Sequence, residues 1–273
     1  MSGENPLVRM ENELEALGLP QMRLGVGGAI DAINAGARSP VEALSDLVDS
    51  EWRQRQAKAI AVCVSTAHLP FAKTFDDFDF SFQPSLNRAE VLDLQYLRFM
   101  EGAENVIFIG SPGVGKTHLA SAVAMCSARQ RKATYFITCQ ELVSRLQRAE
   151  LQGKTQQVLS QYARYGLLVI DEVGFLPLGR DGAKLFFQLI SMRYERHSTI
   201  VTTNVPLSRW SETFEDPVLT NAILDRLLHH SRVFKIVGRS YRTKDIAGLA
   251  PAADPLGGQR EREDSSPSVA SKQ

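Results

Sequence analysis

The sequence predicts an α/β fold: a parallel sheet covered by helices on both faces, with a small all-helical region ahead of it. Three observations carry this. First, short apolar runs (Asn105-Val-Ile-Phe-Ile109, Ala133-Thr-Tyr-Phe-Ile-Thr138, Gly166-Leu-Leu-Val-Ile170 and Thr199-Ile-Val-Thr-Thr203) alternate with stretches of helical period, the pattern of a sheet wrapped by crossover helices. Second, Gly110-Ser-Pro-Gly-Val-Gly-Lys-Thr117 follows the first of these runs and precedes the helix-like His118-Leu-Ala-Ser-Ala-Val-Ala-Met125. It fits G-x-x-x-x-G-K-[ST] in the strand, glycine loop and helix context that the phosphate-binding P-loop requires. Third, residues 7–70 carry helical rather than alternating patterning. The class is therefore a parallel-sheet P-loop NTPase behind a helical N-terminal region.

In chain order, 7–17 reads as a short amphipathic helix ended by Gly18-Leu-Pro20. A glycine-rich break is expected at Gly25-Val-Gly-Gly28, then a further short helix over 29–35. Ser39-Pro40 opens a helix with a capping hydroxyl and proline at the first position. Val41, Leu44, Leu47, Val48 and Trp52 form its apolar stripe. Pattern alone leaves open whether this region is a packing layer on the core or a separate module for a partner or DNA. The aromatic and acidic stretch 71–90 has no helical period and lacks the loop of a calcium site despite Asp76, Asp77 and Asp79. It reads as a linker whose phenylalanines pack on the next domain. Helices are expected over 88–100, 140–151, 182–196 and 217–228, and a last strand over 232–237. Residues 251–273 are rich in Pro, Gly, Ser and charge and are expected to be a disordered tail. The predicted domains are 1–70, 71–250 and that tail.

The chemistry follows from the carboxyl edge of the sheet, where open α/β folds bind ligands. Gly110, Ser111, Pro112, Gly113, Val114, Gly115 and the helix start at Lys116, Thr117 and His118 form the nucleotide-binding loop, and its backbone N–H groups, which all but Pro112 carry, are placed to cradle phosphates. Lys116 supplies a mobile cation, and the Thr117 hydroxyl is a ligand for Mg2+. Asp171, at the end of an apolar strand, is the second candidate Mg2+ ligand, and the adjacent Glu172 is suited to polarise an attacking water. Asn204, at the end of the next strand, is placed to sense the terminal phosphate. Arg226 and Arg242 are the arginines that could stabilise charge in the transition state, though by pattern alone such an arginine is more often a surface ion-pair partner.

Composition narrows the class further. The chain of 273 residues carries 31 basic and 31 acidic residues, so bulk charge argues neither for nor against nucleic acid. Residues 1–70 are mildly acidic, whereas 129–164 hold seven basic against two acidic residues. This is either a phosphate-attracting face or a solvated helix surface. No apolar run spans a membrane and no secretory signal is evident, so a cytoplasmic protein is expected. Cys63, Cys126 and Cys139 lack metal or redox spacing and read as small buried hydrophobes. His229-His230 is the only histidine pair. Adjacent residues on a helix face different ways, so no metal pattern is expected there.

At this point the residues resemble a family, the IstB-like ATPases that help bacterial transposition and are relatives of the helicase loader DnaC within the AAA+ class. The likeness lies in residues 105–120, Leu167-Leu-Val-Ile-Asp-Glu-Val-Gly-Phe-Leu-Pro177, 193–204, Ala222-Ile-Leu-Asp-Arg-Leu-Leu-His229 and Gly238-Arg-Ser-Tyr-Arg242. The resemblance implies ATP and Mg2+ as cofactors and an ATPase that oligomerises with ATP on double-stranded DNA and recruits a partner transposase. It makes Arg226 an arginine finger acting on a neighbouring subunit's nucleotide and Arg242 a sensor acting within its own. Arg145, Arg148 and Lys154 become the first candidates for DNA contact, and the N-terminal helices an adaptor and dimerisation module. A helicase loader remains the alternative function.

Overall fold

A computed structural model describes residues 5–243; the expected tail at 251–273 lies outside them. Three helices come first: α1 (Pro6–Ala16), α2 (Pro20–Asn34) and α3 (Pro40–Thr66). Each begins with proline at its first position, where the missing N–H is not needed. Asn5 caps α1, and Ser39 with Glu42 forms a reciprocal capping box on α3.

The helical region departs from expectation twice. The break at Gly25–Gly28 does not exist; α2 runs straight through it. A Cβ on Gly25 would come within 2.7 Å of Leu47 Cδ2, so glycine there admits α3 close against α2, and packing overrides helix propensity. The N-terminus of α2, capped by no side chain of its own, is met by buried Glu51 of α3, which accepts the Gln21 N–H at 2.8 Å and also Arg55 Nε at 3.1 Å. Burial alone would raise this carboxyl, but the Gln21 and Met22 N–H groups and Arg55 hold it below its usual value. Second, most of the apolar stripe of α3 does not face a core: Val41, Leu44, Val48 and Trp52 are all at least half exposed and only Leu47 meets α2, whereas Ala43 and Glu51 are the residues buried.

The segment expected as one helix over 88–100 is α4 (Arg88–Asp93) followed by two single 3-10 turns, Leu94–Tyr96 and Arg98–Met100. They meet at Leu97, which is left-handed (φ 57°) and fully buried. Burying Leu94, Leu97 and Phe99 together requires this kink, which a continuous helix would not allow.

The core is a five-stranded parallel sheet in the order β2-β3-β4-β1-β5. Its strands are β1 (Asn105–Gly110), β2 (Thr134–Thr138), β3 (Leu167–Asp171), β4 (Ser198–Thr203) and β5 (Ser231–Ile236). Between and after them lie α5 (Lys116–Arg129), α6 (Cys139–Leu151), α7 (Thr155–Ala163), α8 (Gly179–Arg193), α9 (Trp210–Phe214) and α10 (Pro217–Leu228). The central strands are buried on both faces, as their unbroken apolar runs require. Val106 and Phe108 point to a layer with α5 and the 75–100 segment, and Ile107 and Ile109 to a layer with α6, α8 and α10. Helix α7 had no counterpart in the expected elements. The helical region is tied to the sheet's β2 edge, where the Phe136 N–H donates to Ala67 O at 2.8 Å and Arg131 Nη1 to Gln56 Oε1 at 3.1 Å.

Because β1 runs to α5 and then to the far edge at β2, the chain reverses direction beside β1. The carboxyl ends of β1, β4 and β3 therefore lie side by side at a topological switch point, where a crevice opens.

Candidate nucleotide-binding site

The crevice is a cavity of about 550 Å3 over the carboxyl edge. Its floor is the glycine loop, and three glycines there answer three specific close approaches. A Cβ at Gly110 would meet Ile236 O of β5 at 2.3 Å; at Gly113 (φ 82°), Ser240 Oγ at 2.0 Å; at Gly115 (φ 101°), the Phe78 ring at 2.5 Å. The loop thus wraps inward without side chains, and α5 starts at Lys116 with no side-chain cap on its first N–H groups. Uncapped N–H groups at the positive end of a helix form an anion site.

Lys116 Nζ donates to Gly110 O at 2.7 Å and Ser111 O at 2.8 Å. Burial pulls its ammonium down to about 8, against the pull of Asp171 in the other direction. Thr117 Oγ1 donates to the Asp171 carboxylate at 3.1 Å, and the Thr202 hydroxyl makes a second, short contact to the same group. Asp171 is buried, and burial raises its carboxyl despite these hydroxyls. A buried carboxylate whose two hydrogen-bond donors here are hydroxyls fits a hard dication, which would favour its charged form and take the Thr117 oxygen as a second ligand.

Glu172 has left-handed backbone (φ 60°), fixed by donation of its N–H to Thr202 Oγ1 at 3.0 Å, and its side chain borders the cavity. Asn204 and Arg242 border it as well, as do Pro112, Gly113, Gly115, Lys116, Thr117 and His118. Val114 instead anchors the loop in the core, fully buried. The His118 ring reaches Thr74 O at 2.9 Å and packs edge-on against Phe78.

Four candidates lie elsewhere. Arg226 is half-buried on α10, its guanidinium 4.8 Å from the Phe187 ring centroid and donating to Ala222 O; it does not line its own chain's cavity. Arg145 is engaged by the Tyr135 and Tyr162 hydroxyls at 2.9 and 3.1 Å and by Glu141 at 2.6 Å. Arg148 and Lys154 are exposed.

Sequence reasoning missed one wall. Phe71, Lys73, Asp77, Phe78 and Asp79, read as linker, face the loop across the cavity together with Tyr241. The aromatic run was the available signal, but nothing local says which surface it covers. Asp77 is committed to its own turn, accepting the Thr74 N–H and hydroxyl, which hold it below its usual value. Tyr241 closes the corner: its N–H donates to Gly113 O at 2.9 Å and its hydroxyl to Asp79 O at 2.5 Å.

The family model described as IstB-like ATP binding protein matches residues 12–247. The chain is 46% identical over 242 residues to an ATP-binding protein of insertion sequence IS232 from Bacillus thuringiensis subsp. berliner, covering 89% of this chain and 97% of that one. It is 41% identical over 204 residues to an ATP-binding protein of insertion sequence IS5376 from Geobacillus stearothermophilus, covering 75% and 81%. Among solved structures DnaI is similar at TM-score 0.52 and 20% identity, over 61% of this chain and 92% of that one. That likeness is one of fold, a parallel sheet covered by helices behind a glycine loop, which the sequence predicted.

Proposed function

This chain belongs to the IstB-like ATP-binding protein family, and from that premise we propose that it is an ATPase that helps transposition, assembling with ATP on duplex DNA and recruiting and stimulating a transposase. The observation that carries the reading is the convergence of the glycine loop, Asp171, Glu172, Asn204 and Arg242 on one cavity at the sheet's carboxyl edge. Relatives named for insertion sequences favour transposition over helicase loading as the setting.

In this reading the triphosphate lies over Gly113–Thr117, and Lys116 leaves the Gly110 and Ser111 carbonyls to meet the terminal phosphates. The base lies toward Phe78 and Tyr241, whose rings form the apolar side of the cavity. Thr117 and Asp171 would hold Mg2+, which when bound neutralises charge on the phosphate oxygens. Glu172 orients and polarises the attacking water, Asn204 reads the terminal phosphate, and Arg242 balances its charge within the same chain. Arg226, turned away from its own cavity, serves the neighbouring subunit's nucleotide. Hydrolysis then needs assembly, and ATP acts chiefly as a switch for it. For DNA, Arg148 and Lys154 are exposed cations of the basic stretch; Arg145 contributes less, since two tyrosines and Glu141 already hold it. Among the described residues no helix is long and apolar enough to cross a membrane, and none of these roles requires one.

The test is sedimentation of the chain on non-specific duplex DNA with and without ATP and Mg2+. ATP-dependent assembly that weakens steeply with salt is expected; assembly and DNA binding both indifferent to ATP overturn the reading. Glu172→Gln should retain ATP and accumulate the assembled state. Arg226→Ala and a Lys116 variant, each inactive alone, should partly restore hydrolysis when mixed; no recovery places Arg226 in its own subunit's reaction or outside it. A pull-down returning a replicative helicase and no transposase would shift the function to helicase loading.

A further inference from the structure

On the side of the sheet away from the loop, Glu195, His229 and His230 bring one ligand atom each to within 4.8 Å of one another. We propose that this cluster is a binding site for a borderline divalent transition metal, Zn2+ foremost, that joins the end of α8 to the end of α10.

The backbone explains why two adjacent histidines converge. Helix α10 ends at Leu228 and β5 begins at Ser231, so His229, still helical in backbone as the cap of α10, and His230 form the two-residue connection through which the chain leaves the helix. Their rings lie 4.0 Å apart between centroids. Both ends of the connection are pinned. The His229 N–H donates to Asp225 O at 3.0 Å, and His230 O accepts the Asn105 N–H at 2.7 Å. Opposite, α8 stops at Arg193 and the chain turns through Glu195 with left-handed backbone (φ 55°), which presents its carboxylate to both rings. The His229 Nδ1 to Glu195 Oε1 separation is 3.6 Å, and that from His230 Nε2 is 3.7 Å. A tetrahedral zinc with nitrogen and oxygen ligands near 2.0–2.1 Å places neighbouring ligand atoms about 3.3 Å apart. The two Glu195 pairs need only a few tenths of an ångström of closure, and the two histidine nitrogens, within 4.8 Å of each other, need up to about 1.5 Å, which rotation of exposed rings supplies.

The donor set discriminates among ions. Two imidazoles and one carboxylate suit zinc and its transition-metal neighbours, and suit Mg2+ and Ca2+ poorly because these want all-oxygen shells. The Tyr194 hydroxyl, 2.6 Å from His229 Nδ1, occupies the lone pair the metal would take; it is displaced on binding and is left beside the ion. All three ligands are exposed, so the ion has open access and at least one coordination position remains for water or for a group from a neighbouring molecule. The site is three residues from Arg226, and its occupancy would fix the end of the helix that carries that arginine.

The test uses the full chain without a histidine tag. Zn2+ is titrated in competition with a chromophoric chelator, with Mg2+ in parallel, for the natural chain and for Glu195→Gln and His230→Ala. Thermal unfolding without zinc checks that each variant folds, which exposed side chains should permit. One tight equivalent of Zn2+, weakened at least about tenfold in both variants, with no competition from Mg2+, is the expected result. Absence of a tight equivalent in the natural chain, or its retention in either folded variant, overturns the proposal.

Discussion

Arg193→Met should be the most destabilising single change away from the cavity, and it should leave nucleotide binding intact. Arg193 is 1% exposed at the end of α8. Its Nη1 donates to Tyr162, Ala163 and Tyr165 carbonyls at 2.9, 3.2 and 2.7 Å, its Nη2 to Ser198 O, and its Nε to Thr199 Oγ1 at 3.0 Å. One guanidinium thus joins the turn entering β3 to the start of β4. Burial pulls it down to about 9, which leaves it charged at neutral pH, the charge being satisfied by carbonyl dipoles. Methionine fills similar volume and removes the cost of burying a charge, but strands four carbonyls. Each unsatisfied buried acceptor costs about 1–3 kcal/mol. Taking the low end for groups that keep a second lone pair gives a loss of about 3–5 kcal/mol, in line with breaking a buried charged network. Against a total stability of about 5–15 kcal/mol this is a large fraction. Urea unfolding followed by circular dichroism measures it. Folded Arg193→Met at low temperature should still bind a fluorescent ATP analogue, since the cavity lies at the opposite ends of these strands. Arg193→Lys, with three donors, should fall between. A change below 1 kcal/mol would refute the reasoning, and loss of nucleotide binding in folded protein would assign Arg193 a role at the site instead.

Four further outcomes are expected. With the Lys116 ammonium at about 8 in the nucleotide-free chain, ATP affinity should fall about tenfold per pH unit above that value, as binding must restore the proton; the same depressed value makes stability of the nucleotide-free chain rise between pH 8 and 10.5, where the unfolded state holds the extra proton. Isothermal titration across pH 7–10 checks the first, and thermal unfolding the second. Gly115→Ala, strained by its positive φ and meeting Phe78, should abolish ATP binding while circular dichroism stays unchanged. Burial pushes the Cys139 thiol up to about 12, so Ellman's reagent should label the half-buried Cys63 and Cys126 in the folded chain and Cys139 only after unfolding.

What was legible in the sequence is what local chemistry dictates. Apolar runs gave the strands, and the spacing of Gly110–Thr117, Asp171, Glu172 and Asn204 put them at strand ends, where the sheet collects them. The elements that departed from expectation were decided by distant partners. Gly25 reads as a breaker until Leu47 is seen to lie over it. The α3 stripe has helical period, yet α2 packs on the face of Ala43 and Glu51, and of the stripe only Leu47 meets α2 while the other four residues stay exposed. The wall at Phe71–Asp79 has no period at all, because its position is set by where Phe78 and Tyr241 meet across residues far apart in sequence. Adjacent residues of a helix diverge, but His229 is the cap of α10 and His230 already belongs to the turn into β5, so the rule fails between them.

The position of Arg242 follows from the loop itself. Gln83 Nε2 donates to Arg239 O at 2.8 Å, the Val237 N–H to Ser85 Oγ at 2.9 Å, and the Tyr241 N–H to Gly113 O at 2.9 Å. A side chain at Gly238 would collide with Gln83 Oε1 at 2.0 Å, so the strand-to-turn passage after β5 lies flat on the segment before the sheet. The 237–242 turn is thereby held between the missed wall and the glycine loop, and anything that shifts Gly113 shifts the backbone carrying Arg242. One chain supplies the loop, the buried carboxylate, the water-facing Glu172 and this arginine, and keeps Arg226 on another surface. That division is the one the proposed trans role of Arg226 needs, with the binding half of the site held within the subunit.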